Sequence, residues 1–186
     1  MISKVSVLLS ERIGGNLNSS DNEKAVYAYG IEVLLSLLTN LIILSILAYI
    51  MNKKWELLIY LLFFTILRSF TGGYHAKTHV GCIFITSFVF VISAMCGMYL
   101  DKYEKIFLAL GVIFSVFIVF WRAPSESVNK PLSKSERKKY RKISRILVIV
   151  LSIFTVSLYF LREKTDNIYI TATAVMVFES ASMLKK

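Results

Sequence analysis

Both histidines of this 186-residue chain and one of its two cysteines fall within eight residues. They close the run Arg68-Ser69-Phe70-Thr71-Gly72-Gly73-Tyr74-His75-Ala76-Lys77-Thr78-His79-Val80-Gly81-Cys82. Cysteine is a nucleophile as its thiolate, and a neighbouring histidine can take the proton and stabilise that thiolate. Gly72-Gly73 permits a sharp turn or a close approach of backbone to substrate. Gly81 offers a second place for the chain to change direction, just before Cys82. Arg68 and Lys77 could bind substrate carboxylates or stabilise an oxyanion, and a topology anchor is an equally simple role for Arg68.

Helix geometry restricts the pairing. If residues 75–82 formed one straight helix, His75 and Cys82 would share a face but stand about 10 Å apart along the axis. A dyad needs heavy atoms roughly 3 Å apart, somewhat more to sulfur. His79, three residues before Cys82, is the helical neighbour that reaches it. A His75–Cys82 pair therefore requires the chain to bend between them. Two other readings use the same residues. His75, His79 and Cys82 fall at i, i+4 and i+7 and could contribute to a zinc site, although no fourth ligand is evident nearby. Alternatively, the histidines are interfacial loop residues and Cys82 only packs.

The elements that must position these groups are membrane helices. The chain is 56% hydrophobic and only 18% charged, and its charge lies between long apolar runs. A soluble domain has no use for repeated stretches of that length, whereas a bilayer requires about 20 residues per helix. Six apolar segments are predicted, near residues 31–51, 55–67, 80–100, 106–121, 146–161 and 168–184. The second, fourth and fifth are shorter than a full span unless flanking residues join them, so four spans with two re-entrant segments is the alternative. The expected fold is an all-α polytopic membrane protein, a single domain over residues 1–186.

Residues 1–17 place Ile2, Val5, Leu9 and Ile13 at three- and four-residue spacings, predicting a short amphipathic helix at the membrane surface. Gly14, Gly15 and Asn16 should end it. Ser20-Asp21-Asn22-Glu23 reads as a capping box that starts the next helix in water. No cleavable signal peptide is expected at the start. Cys82 and Cys96 make no disulfide framework, and Cys96 reads as a small packing residue.

The net charge of +10 does not indicate nucleic acid, because the positive residues flank apolar spans as cytoplasmic loops do. Residues 122–145 hold nine basic residues against Glu126 and Glu136, and Arg68 and Lys77 add positive charge between the second and third segments. The opposite loops, 101–105 and 162–166, are neutral in sum, and only Lys53 and Lys54 run the other way. The positive-inside rule then puts both termini, the 68–79 loop and the basic 122–145 loop in the cytoplasm. That basic loop would anchor topology and meet anionic headgroups, or dock an acidic partner.

The pattern Arg68-x3-Gly72-Gly73-x-His75-Ala76-x5-Cys82, opening a hydrophobic span, is similar to the AgrB family of bacterial accessory gene regulator proteins. The likeness extends to chain length, to several short spans and to a basic stretch carrying Ala123-Pro124, Lys130-Pro131-Leu132 and Arg137-Lys138-Lys139-Tyr140. It implies an integral-membrane cysteine endopeptidase of the bacterial cell membrane that processes an AgrD-like propeptide into a cyclic autoinducing peptide for quorum sensing. By that resemblance His75 and Cys82 carry the catalysis, and a homodimer is expected. No cofactor or metal is called for: a thioester intermediate keeps the acyl group activated, so ring closure needs no nucleotide. The alternative from another class is a small membrane transporter or scaffold without covalent chemistry. Glu32 and Glu179 lie in or near apolar spans, where an ionisable group is a functional candidate by default. Nothing in the sequence places either near Cys82, so neither is assigned a catalytic role.

Overall fold

The computed structural model describes residues 2–17, 19–73, 78–125, 132–161 and 167–184. These residues are helical, with no strand among them. The helices are α1 (Ile2–Asn16), α2 (Asp21–Ile50), α3 (Lys54–Thr71), α4 (His79–Tyr99), α5 (Glu104–Arg122), α6 (Lys134–Phe160) and α7 (Ile168–Ser182). A 3-10 turn at Asp101–Tyr103 joins α4 to α5. The chain divides into two compact units, Met1–Ile46 and Leu47–Lys186.

In the first unit, α1 runs through Gly14 and Gly15 and ends at Asn16, within the break that Gly14, Gly15 and Asn16 predict. Gly14 is buried, with the Lys24 side chain lying where a Cβ would stand. Val5, Leu9 and Ile13 are exposed along one side of α1, while Ser6 and Ser10 are buried. The capping box forms as read: the Ser20 N–H donates to the Glu23 carboxylate at 2.8 Å, and Glu23 N–H donates to Ser20 Oγ at 3.4 Å. These bonds satisfy two of the donors that every helix start leaves open.

Four helices, α2, α4, α5 and α6, are long and apolar enough to cross a membrane. The protein is therefore an all-α, multi-pass membrane protein. The fourth and fifth apolar segments reach full length because flanking residues join them, giving α5 its 19 residues and α6 its 27. The short helices are α3, whose apolar stretch is bounded by Lys54, Glu56 and Arg68, and α7, with 15 residues. Helix α6 also corrects the reading of 122–145 as a loop. Ser133 and Glu136 form a second capping box, so the basic run from Lys134 onward is the first turns of a helix.

In the second unit α7 is the central element. It packs against α3, α4, α5 and α6, and Tyr169 through Met176 are all buried. A helix apolar on every side belongs in a core. Lipid is as apolar as leucine, so helices in a bilayer associate by close packing at small residues rather than by hydrophobic exclusion. The observed faces follow that rule. In α5, Leu108, Gly111, Ser115 and Ile118 are buried, while Ile106, Leu110, Ile113 and Phe117 point outward. Buried hydroxyls return their hydrogen bonds to the helix one turn back, as Thr155 does to Leu151 O and Thr173 to Tyr169 O. Across helices, Asn167 Nδ2 donates to Gly97 O at 3.0 Å and the Tyr169 hydroxyl donates to Glu104.

Gly111 marks the tightest α5–α7 approach: a Cβ there would lie 2.4 Å from Thr173 Cγ2. Gly111→Ala should destabilise the protein by about 1–3 kcal/mol through overpacking. Adding Thr173→Ser, which removes that methyl, should restore part of the loss in a thermal or denaturant melt of the detergent-purified protein. Gly30→Ala, whose Cβ meets nothing, is the matched control.

Candidate functional site

The first helix of the site is α3. Its buried face reads Glu56, Tyr60, Phe63, Leu67 and Thr71, spaced three or four residues apart, as a helix half-embedded in protein requires. Gly72 ends it with φ of 70°, and Gly73 follows with φ of 135°. Both angles lie where a side chain is strained and glycine is not. The Gly72-Gly73 turn predicted from sequence is therefore real.

This turn is held from three sides. Ser125, just after α5, donates its N–H to Thr71 O at 2.8 Å and forms an isolated parallel bridge with Gly72. From α6, Ser144 Oγ donates to Phe70 O at 2.8 Å, and the Tyr140 ring packs on Phe70. From α7, Ser182 Oγ approaches Gly73: a Cβ on that glycine would stand 2.5 Å from it and 2.8 Å from Arg68 Nη1. The Ala123-Pro124 peptide beside Ser125 is cis.

Arg68, in the last turn of α3, directs Nη1 at Glu179 Oε2 (3.4 Å) and at Ser182 Oγ (3.3 Å), and its guanidinium lies over the Phe64 ring. Glu179 is 4% exposed. Sequence reasoning flagged this glutamate as an intramembrane charge but found it no neighbour, because its partner lies 111 residues earlier. The signal was present as a second, opposite charge in an otherwise apolar stretch. Only the fold shows that the two meet.

Cys82 lies in the first turn of α4 as a free, half-buried thiol. Helix α4 begins at His79. Its cap is Thr78, whose backbone is extended and whose hydroxyl accepts the Gly81 N–H at 3.1 Å. The direction change is thus at Thr78, and Gly81 sits inside the helix. A single straight helix through residues 75–82 is excluded, which is the condition that geometry set for a His75–Cys82 pair. His79 opens α4 and is exposed. His75 and Lys77 lie outside the described residues, and with them the His75, His79 and Cys82 metal set. Among the described residues no three His, Cys, Asp or Glu side chains gather as metal ligands.

Helix α3 also supports the Cys82 turn. The Tyr60 hydroxyl, fully buried, donates to Thr86 O at 2.9 Å, and Thr86 Oγ1 donates to Cys82 O at 2.9 Å. Tyr60 packs edge-on against Phe90 of α4. The structure therefore gathers Arg68, Gly72 and Gly73 at one turn, adds Glu179 and Ser182 from α7, and connects the same helix to the turn that bears Cys82. Beyond Ser125, Arg122, Arg137 and Arg141 converge with Met183 on a polar cavity of about 390 Å³. The basic stretch is accordingly a shaped surface at the ends of three helices.

Set against known proteins, residues 6–183 match the family model described as Accessory gene regulator B. The chain is 29% identical over 164 residues to an AgrB-like protein of Clostridium perfringens (strain SM101 / Type A), covering 83% of this chain and 75% of that one. It is 23% identical over 185 residues to an AgrB-like protein of Lactiplantibacillus plantarum, covering 100% and 91%. It is 28% identical over 126 residues to accessory gene regulator protein B of Staphylococcus aureus (strain MRSA252), covering 68% and 67%. No solved structure matches the chain.

The bridge at Gly72 yields a direct test of the turn. A Cβ at Gly72 would lie 2.1 Å from the Ser125 carbonyl oxygen, a backbone atom that cannot swing aside, and φ is unfavourable as well. Gly72→Ala should cost about 1–3 kcal/mol in a thermal or denaturant melt. Gly15→Ala, which meets nothing within 4 Å, should leave the melt unchanged or slightly raise it.

Proposed function

The chain belongs to the accessory gene regulator B family, the membrane component of a quorum-sensing system, and on that premise we propose that it is a cysteine endopeptidase. Its substrate is a short AgrD-like propeptide, cut on the C-terminal side of its core. The observation that carries this reading is the placement of Cys82: a free thiol opening α4, a few residues beyond a glycine turn fixed by three neighbouring helices.

His75 takes the Cys82 proton, and the thiolate sulfur attacks the peptide carbonyl carbon. The C–N bond breaks, the histidine proton passes to the leaving amine, and an acyl-enzyme thioester remains. A side-chain thiol or hydroxyl of the propeptide then gives its proton to the now neutral His75 and attacks the same carbonyl. The thioester C–S bond breaks, Cys82 sulfur takes that proton back, and a thiolactone or lactone ring closes. The thioester must be kept from water until the ring closes, and a site at the membrane edge suits that requirement. Arg68, Gly72, Gly73 and Lys77 make up the substrate-facing surroundings of the dyad.

Loop charge supports an orientation with both termini and the 72–82 segment in the cytoplasm, where an unexported peptide meets the enzyme. The exposed apolar side of α1 fits a membrane-lying propeptide, and the positive α5–α6 junction fits its acidic tail. A homodimer in the lipid bilayer accords with the family.

In vesicles containing protein and propeptide, Cys82→Ala and His75→Ala should each abolish cleavage, and His79→Ala should leave much of it. Full cleavage by Cys82→Ala would overturn the mechanism, and a non-enzymatic transporter predicts flux indifferent to thiol alkylation.

A further inference from the structure

The mechanism above gives Glu179 no task, yet this carboxylate is almost wholly buried in α7 beside the turn that leads to His75. We propose that Glu179 is a positioning residue: acting through Arg68, it fixes the Gly72-Gly73 turn, and so the approach of His75 to Cys82. The inference rests on the endopeptidase reading and deepens it.

An arginine side chain is long and has many rotamers, so it makes a firm support only when its head is pinned. Here Nη1 is pinned from one helix, by Glu179 Oε2 at 3.4 Å and Ser182 Oγ at 3.3 Å. The same two side-chain atoms, Arg68 Nη1 and Ser182 Oγ, crowd the place where a Gly73 Cβ would be. The backbone of the turn thus rests directly on the pinned guanidinium. His75 follows Gly73 by two residues, so at most about 7 Å can separate their Cα atoms.

Helix α3 is the common frame. Near its middle, Tyr60 holds the Cys82 turn through Thr86; at its end, Arg68 supports Gly73. The pair therefore ties the Gly72-Gly73 turn and the Cys82 turn to one helix. A histidine–cysteine dyad tolerates little error, since a misplacement of about 1 Å can cost roughly 100-fold in rate. Glu179 supports this arrangement without touching the reacting atoms.

The test uses the full chain in vesicles with a synthetic propeptide, comparing wild type, Glu179→Gln, Glu179→Asp, the double variant Arg68→Met/Glu179→Met, and Cys82→Ala. Glu179→Gln should lower kcat roughly 30-fold with KM within about three-fold, and Glu179→Asp should recover much of that loss. Cys82 should be labelled by a small maleimide to the wild-type final extent in both, showing that α4 inserts with its thiol accessible. The initial rate at neutral pH should fall in Glu179→Gln, because only the thiolate reacts. Should Glu179→Gln fail to insert, the double variant decides, because apolar replacement of a buried ion pair is commonly tolerated. It should insert, label to the wild-type final extent and turn over about as slowly as expected for Glu179→Gln. Wild-type kcat in Glu179→Gln or in the double variant would overturn the inference. So would losses accompanied by a matching loss in the final extent of maleimide labelling, which mark a purely structural role. Cys82→Ala separates the two levels: if it still cleaves, the endopeptidase reading fails and this inference with it. If it is inactive while the Glu179 variants are normal, only this inference fails.

Discussion

A charge placed among membrane helices must find a partner, and in this protein that constraint is met by Arg68 and Glu179. An ionised side chain at the centre of a bilayer-inserted helix costs on the order of 3 kcal/mol even by the mildest scales. Leaving one member of a buried pair alone costs about 3–5 kcal/mol. A helix as short and as enclosed as α7 has few registers that bring Glu179 opposite Arg68 while also seating Thr173 against Gly111 and Asn167 against Gly97. The ion pair is weak evidence for net stability. Its contribution is to select one register among several apolar ones, and the turn beyond α3 inherits its position from that selection.

The geometry around Gly72 and Gly73 shows how closely that position is held. Three elements distant in sequence converge on four residues of backbone, 70–73: α6 through Ser144, the chain after α5 through Ser125, and α7 through Ser182. Each contact is a hydrogen bond or a close approach to main chain rather than side-chain packing alone. Such over-determination is how a fold sustains two successive residues at positive φ. Both residues are glycines, so their positive φ carries little strain, and the contacts serve to fix one path for the chain. Cys82 is secured by the Thr78 cap and by the Tyr60–Thr86 link, so its turn and the Gly72-Gly73 turn are both referred to α3.

Much of this could be read from the sequence, and the limits were physical. Local signals were faithful: the Ser20–Glu23 box starts α2, and Gly72-Gly73 turns where glycines can turn. Requiring a break between His75 and Cys82 followed from helix rise alone, and Thr78 supplies it. Charge density misled at 134–145, where a run of lysines and arginines resembled a loop although Ser133 and Glu136 already encoded a helix start. The break at Gly14, Gly15 and Asn16 ends α1 at Asn16, although sequence cannot show that Gly14 faces the Lys24 side chain. Long-range pairing was beyond reach. Arg68 and Glu179 are 111 residues apart, and no periodicity identifies partners across that distance. The burial of α7 was hidden for a related reason, since lipid and protein interior select the same apolar residues.

The central claim is that Cys82 becomes covalently acylated by the propeptide. Its most direct measurement is mass spectrometry of the protein after brief reaction with propeptide and acid quench. The account predicts an adduct with the mass of the N-terminal part of the propeptide, located on Cys82, labile to hydroxylamine and absent in His75→Ala. Efficient processing with no adduct on Cys82 at any time, or with the adduct on another residue, would contradict it.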